Sequence, residues 1–168
     1  MQPSFWNIQI GDSIPPAALC DQIEQECHDE LLSICSDIEH YFEQQEEMHF
    51  SDSIAEIVQL VFLKMEDEMK HLFLKEKNLI FPVIKSRKPL FVLAPAVWTY
   101  IVHTQRGIAD LLQKIRHLLN HFQVLPYWSK GWRDCVQQFF QLEKKIHQWI
   151  FVEQNILYPS CLQSMRVN

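Results

Sequence analysis

Glycine is almost absent from this chain: 3 residues in 168, against a usual share of roughly 7%. Tight β-hairpins need residues that tolerate positive φ, so so few glycines argue against an all-β fold. Basic excess is also missing. Lys and Arg number 15 against 21 Asp and Glu, a net charge of −6 with no basic block. Phosphate contact relies on clustered Lys and Arg, so a nucleic-acid partner is not expected. No long apolar run is present either. The longest, Leu90 to Trp98, is interrupted by Pro95 and falls far short of the roughly 20 residues a membrane helix needs. Met1 to Gly11 has no positive start leading into an apolar stretch, so no export signal is expected. The five cysteines (Cys20, Cys27, Cys35, Cys135 and Cys161) include no Cys-x-x-Cys pair. They read as reduced thiols of a cytoplasmic protein with no membrane partner, with Cys20, Cys27 and Cys35 buried along one stripe of the first helix.

What is abundant is helical periodicity. Ile23, Cys27, Leu31, Ile34, Ile38 and Phe42 recur at three- or four-residue steps after Ser13-Ile14-Pro15-Pro16, predicting a helix to about Met48. A second runs from Ser51-Asp52-Ser53 through Ile57, Leu60, Val61, Met65, Met69, Leu72 and Phe73 towards Pro82. The third carries Ile101, Ile108, Leu111, Leu112, Ile115 and Leu119 after Ala94-Pro95. The fourth starts near Ser129, carries Val136, Phe139, Phe140, Leu142, Ile146 and Ile150, and stops at Pro159. Short connections make neighbours antiparallel, so the expected architecture is an all-α, up-down-up-down four-helix bundle. It would span residues 15–168, with residues 1–14 as an N-terminal extension.

An internal echo points to the chemistry. The second helix ends Glu76-Lys77-Asn78-Leu79-Ile80-Phe81-Pro82 and the fourth Glu153-Gln154-Asn155-Ile156-Leu157-Tyr158-Pro159. Both read Glu-x-Asn-aliphatic-aliphatic-aromatic-Pro. Such a close can be packing alone, but carboxylates seldom sit in apolar runs unless paired or bound to metal. Helix bundles hold metals through inward Glu and His side chains. His28 and His49 lie 21 residues apart, within about 60° on a helix but about 31 Å along it. The helix must therefore end or bend before His49 for both to reach one site. His103 lies on the third helix among few polar alternatives. Glu66-Asp67-Glu68 and Glu46-Glu47 read as solvated faces. No Ser-His-Asp arrangement at helical spacing and no phosphate-cradling glycine loop is present, so hydrolytic activity has no support.

Cys27-His28-Asp29-Glu30, Met48-His49, Lys75 to Pro82, His103-Thr104-Gln105-Arg106-Gly107 and Trp132 followed by Glu153 to Pro159 together resemble the hemerythrin-like di-iron proteins. The likeness is to their iron–sulfur cluster repair branch (RIC, ScdA/YtfE-type) and covers roughly residues 17–162. It implies a non-haem iron centre in which Glu76 and Glu153 bridge and His28, His49 and His103 are terminal ligands. It also implies iron–sulfur proteins as partners and a role under nitrosative or oxidative stress. The chain departs from the family's pattern at two histidines expected one turn before each glutamate, where Leu72 and Trp149 stand. His71 and His147 lie nearby but about 140° and 120° off the glutamate face of a regular helix. A π-bulge would bring His71 into line. The family's acidic residue before the third-helix histidine is here Val102. The implied ligand set is thus His28, His49, Glu76, His103 and Glu153, holding one or two ions. The alternative is a metal-free interaction or sensing module, with Leu72 and Trp149 plugging the former site.

Overall fold

The computed structural model describes residues 14–47, 53–86 and 94–163, and among them there are helices and no strands. Expectations for the N-terminal extension and for His49 lie outside the described residues. Four helical rods make up the bundle. The first joins α1 (Pro16–Gln22), a π-helical turn (Ile23–His28) and α2 (Asp29–Glu47). The second joins α3 (Ser53–Lys75), a π-turn (Glu76–Ile80) and α4 (Phe81–Lys85). The third is α5 (Pro95–Leu118). The fourth joins α6 (Lys130–Val152), a π-turn (Glu153–Leu157) and α7 (Tyr158–Gln163). Helix α3 packs on α5, α2 on α6 and α1 on α4.

Local chemistry sets the helix starts. Pro16 and Pro95 occupy the first turns of α1 and α5, where the missing N–H has no intrahelical partner to lose. Ser129 caps α6, its hydroxyl accepting from the Trp132 amide at 3.1 Å. Replacing Ser129 by alanine is expected to lower stability by about 1 kcal/mol, measurable as a shift in the urea midpoint at unchanged slope.

The seam of apolar residues follows the expected periodicity for the most part. Ile23, Leu31, Ile38, Met65, Leu72, Ile101, Leu112, Phe139 and Ile146 are buried. Ile34, Val61, Leu111, Phe140 and Ile150 are only partly buried, and two expected core positions are exposed: Ile57 at 47% and Leu60 at 69%. The buried stripe of α3 runs instead through Ala55, Val58, Phe62, Met65 and Met69, one to two residues out of step with them. Conversely, Glu66 is not a solvated acid. It is buried, with Lys70 Nζ at 2.7 Å from its carboxylate. Burial pushes its carboxyl above the usual range, and Lys70 opposes the rise.

The prolines that close the second and fourth apolar patterns do not end their helices. Each follows a π-turn, and the helix continues to Lys85 and Gln163. A helical proline offers no N–H and crowds the carbonyl four residues earlier. Just ahead of each proline the ladder widens by one residue: the Phe81 amide bonds the Glu76 carbonyl, and the Tyr158 amide the Glu153 carbonyl. The repeated Glu-x-Asn-aliphatic-aliphatic-aromatic-Pro run is therefore one structural device used twice, a five-residue π-turn that opens on a glutamate.

Candidate metal centre

Three of the four rods contribute a π-turn, and each turn carries one ionisable residue into the interior. His28 ends the first, Glu76 opens the second and Glu153 opens the third. Both glutamates are fully buried and His28 is 3% exposed. Single π-bulges within α-helices are frequent at functional sites because they re-aim a side chain without ending the helix.

The three side chains meet. His28 Nε2 lies 3.2 Å from Glu76 Oε2 and 3.7 Å from Glu153 Oε1. None of these three atoms has a hydrogen-bond partner outside the trio. Ligand atoms of all three residues lie within 4.8 Å of one another. Each carboxylate's other oxygen is engaged. Tyr158 Oη donates to Glu76 Oε1 at 2.9 Å, and Gln105 Nε2 donates to Glu153 Oε2 at 2.6 Å. Gln154 Nε2 in turn donates to Gln105 Oε1 at 2.8 Å. Buried polar atoms left without partners are costly. Here three of them, one nitrogen and two carboxylate oxygens, face one another as an unfilled coordination set would.

Apolar and aromatic groups wall this centre. The His28 ring stacks on Phe73 at 3.8 Å and lies nearly parallel to Phe81 at 5.8 Å. Trp149, fully buried one turn before Glu153, presents its edge to His28 at 6.2 Å and packs against Phe73 at 5.0 Å. Leu72 is also fully buried. A dry wall of this kind raises the strength of every charge interaction inside it.

Electrostatics follow from that burial. Desolvation alone lowers His28, but Glu153 and Glu76 outweigh it and hold the imidazole at about 9. Burial, then the Glu76 charge, raises the Glu153 carboxyl to about 8 against the pull of His28. Desolvation and the same two carboxylates keep the Tyr158 hydroxyl protonated well above its usual range. Glu153, buried beside a second carboxylate, thus keeps its proton past neutrality. For both His28 and Glu153 the folded state holds a proton that the unfolded chain has already released. The metal-free protein therefore loses stability as pH rises from about 4.5 through about 9, by several kcal/mol at about 1.4 kcal/mol for each pKa unit. Urea unfolding at pH 5.5, 7 and 9 measures this. Ion affinity should move the other way and strengthen with pH, because binding displaces those protons.

The other histidines among the described residues stay outside. His103 is exposed. It stands two residues, about 200°, from both Ile101 and Gln105, which are fully buried, so α5 brings Gln105 to the centre in its place. His71 is exposed, and its Nδ1 pairs with the Asp67 carbonyl at 2.8 Å. The π-turn of this rod begins only at Glu76 and leaves His71 on the regular helix before it. His147 is likewise exposed. His117 and His121 rings lie 4.9 Å apart at an exposed helix end. All five cysteines are buried thiols. Burial pushes Cys135 up to about 12 and Cys20, Cys27 and Cys35 further still, so none is poised as a nucleophile. Among the described residues no helix is long and apolar enough to cross a membrane.

Sequence reasoning missed Gln105 and Tyr158. A glutamine inside an apolar helix face offered a faint signal. A tyrosine in the fourth-helix echo where the second has Phe81 offered a clearer one.

No family model matches the chain. It is 26% identical over 98 residues to the iron-sulfur cluster repair protein YtfE of Escherichia coli O81 (strain ED1a), an alignment covering 58% of this chain and 44% of the relative. It is 24% identical, with the same coverage, to the YtfE proteins of Escherichia coli O1:K1 / APEC and of Escherichia fergusonii (strain ATCC 35469). The chain thus spans less than half the length of the curated relatives it matches. Weak homology to iron–sulfur cluster repair proteins and a buried His-Glu-Glu set that could hold a metal ion are what sequence and geometry together establish.

Proposed function

We propose that this chain is a hemerythrin-like, up-down-up-down four-helix bundle that binds non-haem iron and takes part in repairing iron–sulfur clusters under nitrosative or oxidative stress. The observation that carries this reading is the convergence of three unpartnered donor atoms, on His28, Glu76 and Glu153, in a dry interior. Weak similarity to repair proteins points the same way. In this reading His28 and the two glutamates are ligands, and His49, outside the described residues, supplies a further one. His103 takes no part. Iron bound here supplies a redox-active Lewis acid with open coordination positions. The protein's residues do the rest. Glu76 and Glu153 neutralise the ion's charge, His28 gives a nitrogen ligand held flat against Phe73, and Trp149 and Leu72 exclude water. Five thiols rather than disulfides suit a cytoplasmic setting, and iron–sulfur proteins are the proposed partners.

One feature favours the second reading, a metal-free interaction or sensing module: Leu72 and Trp149 fill two positions where the family resemblance implies histidines. A repair assay separates the two. An iron–sulfur protein whose cluster has been damaged by nitric oxide is incubated without oxygen with the ferrous-loaded chain. Cluster absorbance should return faster than with an equal amount of free ferrous ion, and the advantage should vanish for His28→Ala. Recovery no better than with free ferrous ion would favour the metal-free module.

A further inference from the structure

The two halves of the sequence echo differ at one atom that matters. Phe81 and Tyr158 occupy the same place, five residues after their glutamates. Phe81 lies parallel to the His28 ring. The Tyr158 hydroxyl instead reaches across to the other copy's glutamate, Glu76, at 2.9 Å. Glu153 receives no such hydroxyl from Phe81. Its donor comes from α5, where fully buried Gln105 contributes its amide at 2.6 Å. Gln154 Nε2 donates in turn to that amide's oxygen at 2.8 Å, and an ionised Glu153, which can only accept, fixes the NH2 end of Gln105 towards it.

Each carboxylate is thus divided in the same way. One oxygen is held by a neutral donor and the other is unpartnered and turned towards His28 Nε2. A carboxylate that bridges two ions through both oxygens must turn both towards the metal side. Here the protein's donor holds one oxygen of each glutamate away from the shared space, so each presents one oxygen to it. Both donors are uncharged, so they orient the glutamates without neutralising the charge that would attract a cation. Outer hydrogen bonds of this kind orient ligands and are worth about 10–100-fold in ion affinity.

We infer that Tyr158 and Gln105 are positioning residues that hold Glu76 and Glu153 as one-oxygen ligands and so restrict the centre to a single divalent ion. This rests on the metal-binding reading above and goes beyond it in stoichiometry and in the residues that set it.

Anaerobic titration with cobalt(II), whose visible bands report coordination number and symmetry, tests it. The wild-type chain should saturate at one equivalent. Tyr158→Phe and Gln105→Leu should each weaken binding by about 10–100-fold and alter the cobalt spectrum, because the released carboxylate oxygen becomes free to coordinate. Helix content by circular dichroism checks that each variant is folded, and either variant alone suffices if the other is not. Saturation at two equivalents, or affinity and spectrum unchanged in the folded variants, would overturn the inference and leave the metal-binding reading standing. No cobalt bound by the wild-type chain would overturn both.

Discussion

Glu153→Gln is expected to lower ferrous affinity by more than about 100-fold, beyond the 10–100-fold typical of outer hydrogen-bonding partners. The substitution is nearly isosteric, so Trp149 and Val152 beside it keep their packing. It removes one of three ligand atoms and one of two negative charges from a fully buried site. The metal-free form should respond differently. Two buried carboxylates repel, and relieving that repulsion leaves His28 and Glu76 as a simple pair 3.2 Å apart. The variant should therefore melt no lower than the wild-type chain when both are metal-free, and should lose much of the fall in stability with rising pH. Equilibrium dialysis against ferrous ion without oxygen, together with melting curves at pH 6 and 9, measures both effects. A structural role for Glu153 alone would lower the melting temperature and leave ion affinity untouched.

The second large effect concerns the wall rather than the ligands. Trp149→Ala is expected to destabilise the protein by about 3–5 kcal/mol, the usual cost of emptying a buried aromatic site. Trp149 is fully buried, edge-on to Phe73 at 5.0 Å and to His28 at 6.2 Å. Its loss opens a cavity beside His28 that water can enter. For a chain of this size each kcal/mol shifts the melting temperature by roughly 2–4 °C, so a drop on the order of 10 °C should appear. A change below about 3 °C would mean that neighbouring helices collapse into the space.

Much of this was legible in the sequence. Periodicity placed the helices and most of the core, because burial follows the spacing of apolar residues on a rod. It misjudged α3, where apolar residues run almost all round the helix and spacing alone cannot say which stripe faces inward; Ile57 and Leu60 fell outside. The repeated glutamates were readable because a carboxylate in an apolar run calls for a partner. The fate of His103 was not, since exposed and inward histidines on one helix differ only by about 100° per residue, and the choice was made by Gln105, two positions on. The prolines were misread as stops. A proline after a π-turn adds one residue to the ladder and lets the helix go on.

X-ray absorption of the zinc-loaded chain tests the central claim, that His28, Glu76 and Glu153 hold an ion, most directly. The expected spectrum is a light-atom shell of nitrogen and oxygen at about 2.0–2.2 Å with imidazole scattering and no metal neighbour at about 3.5–4 Å, all lost in Glu76→Ala. A sulfur shell at about 2.3 Å, or a spectrum that Glu76→Ala leaves unchanged, would place the ion elsewhere and contradict the account.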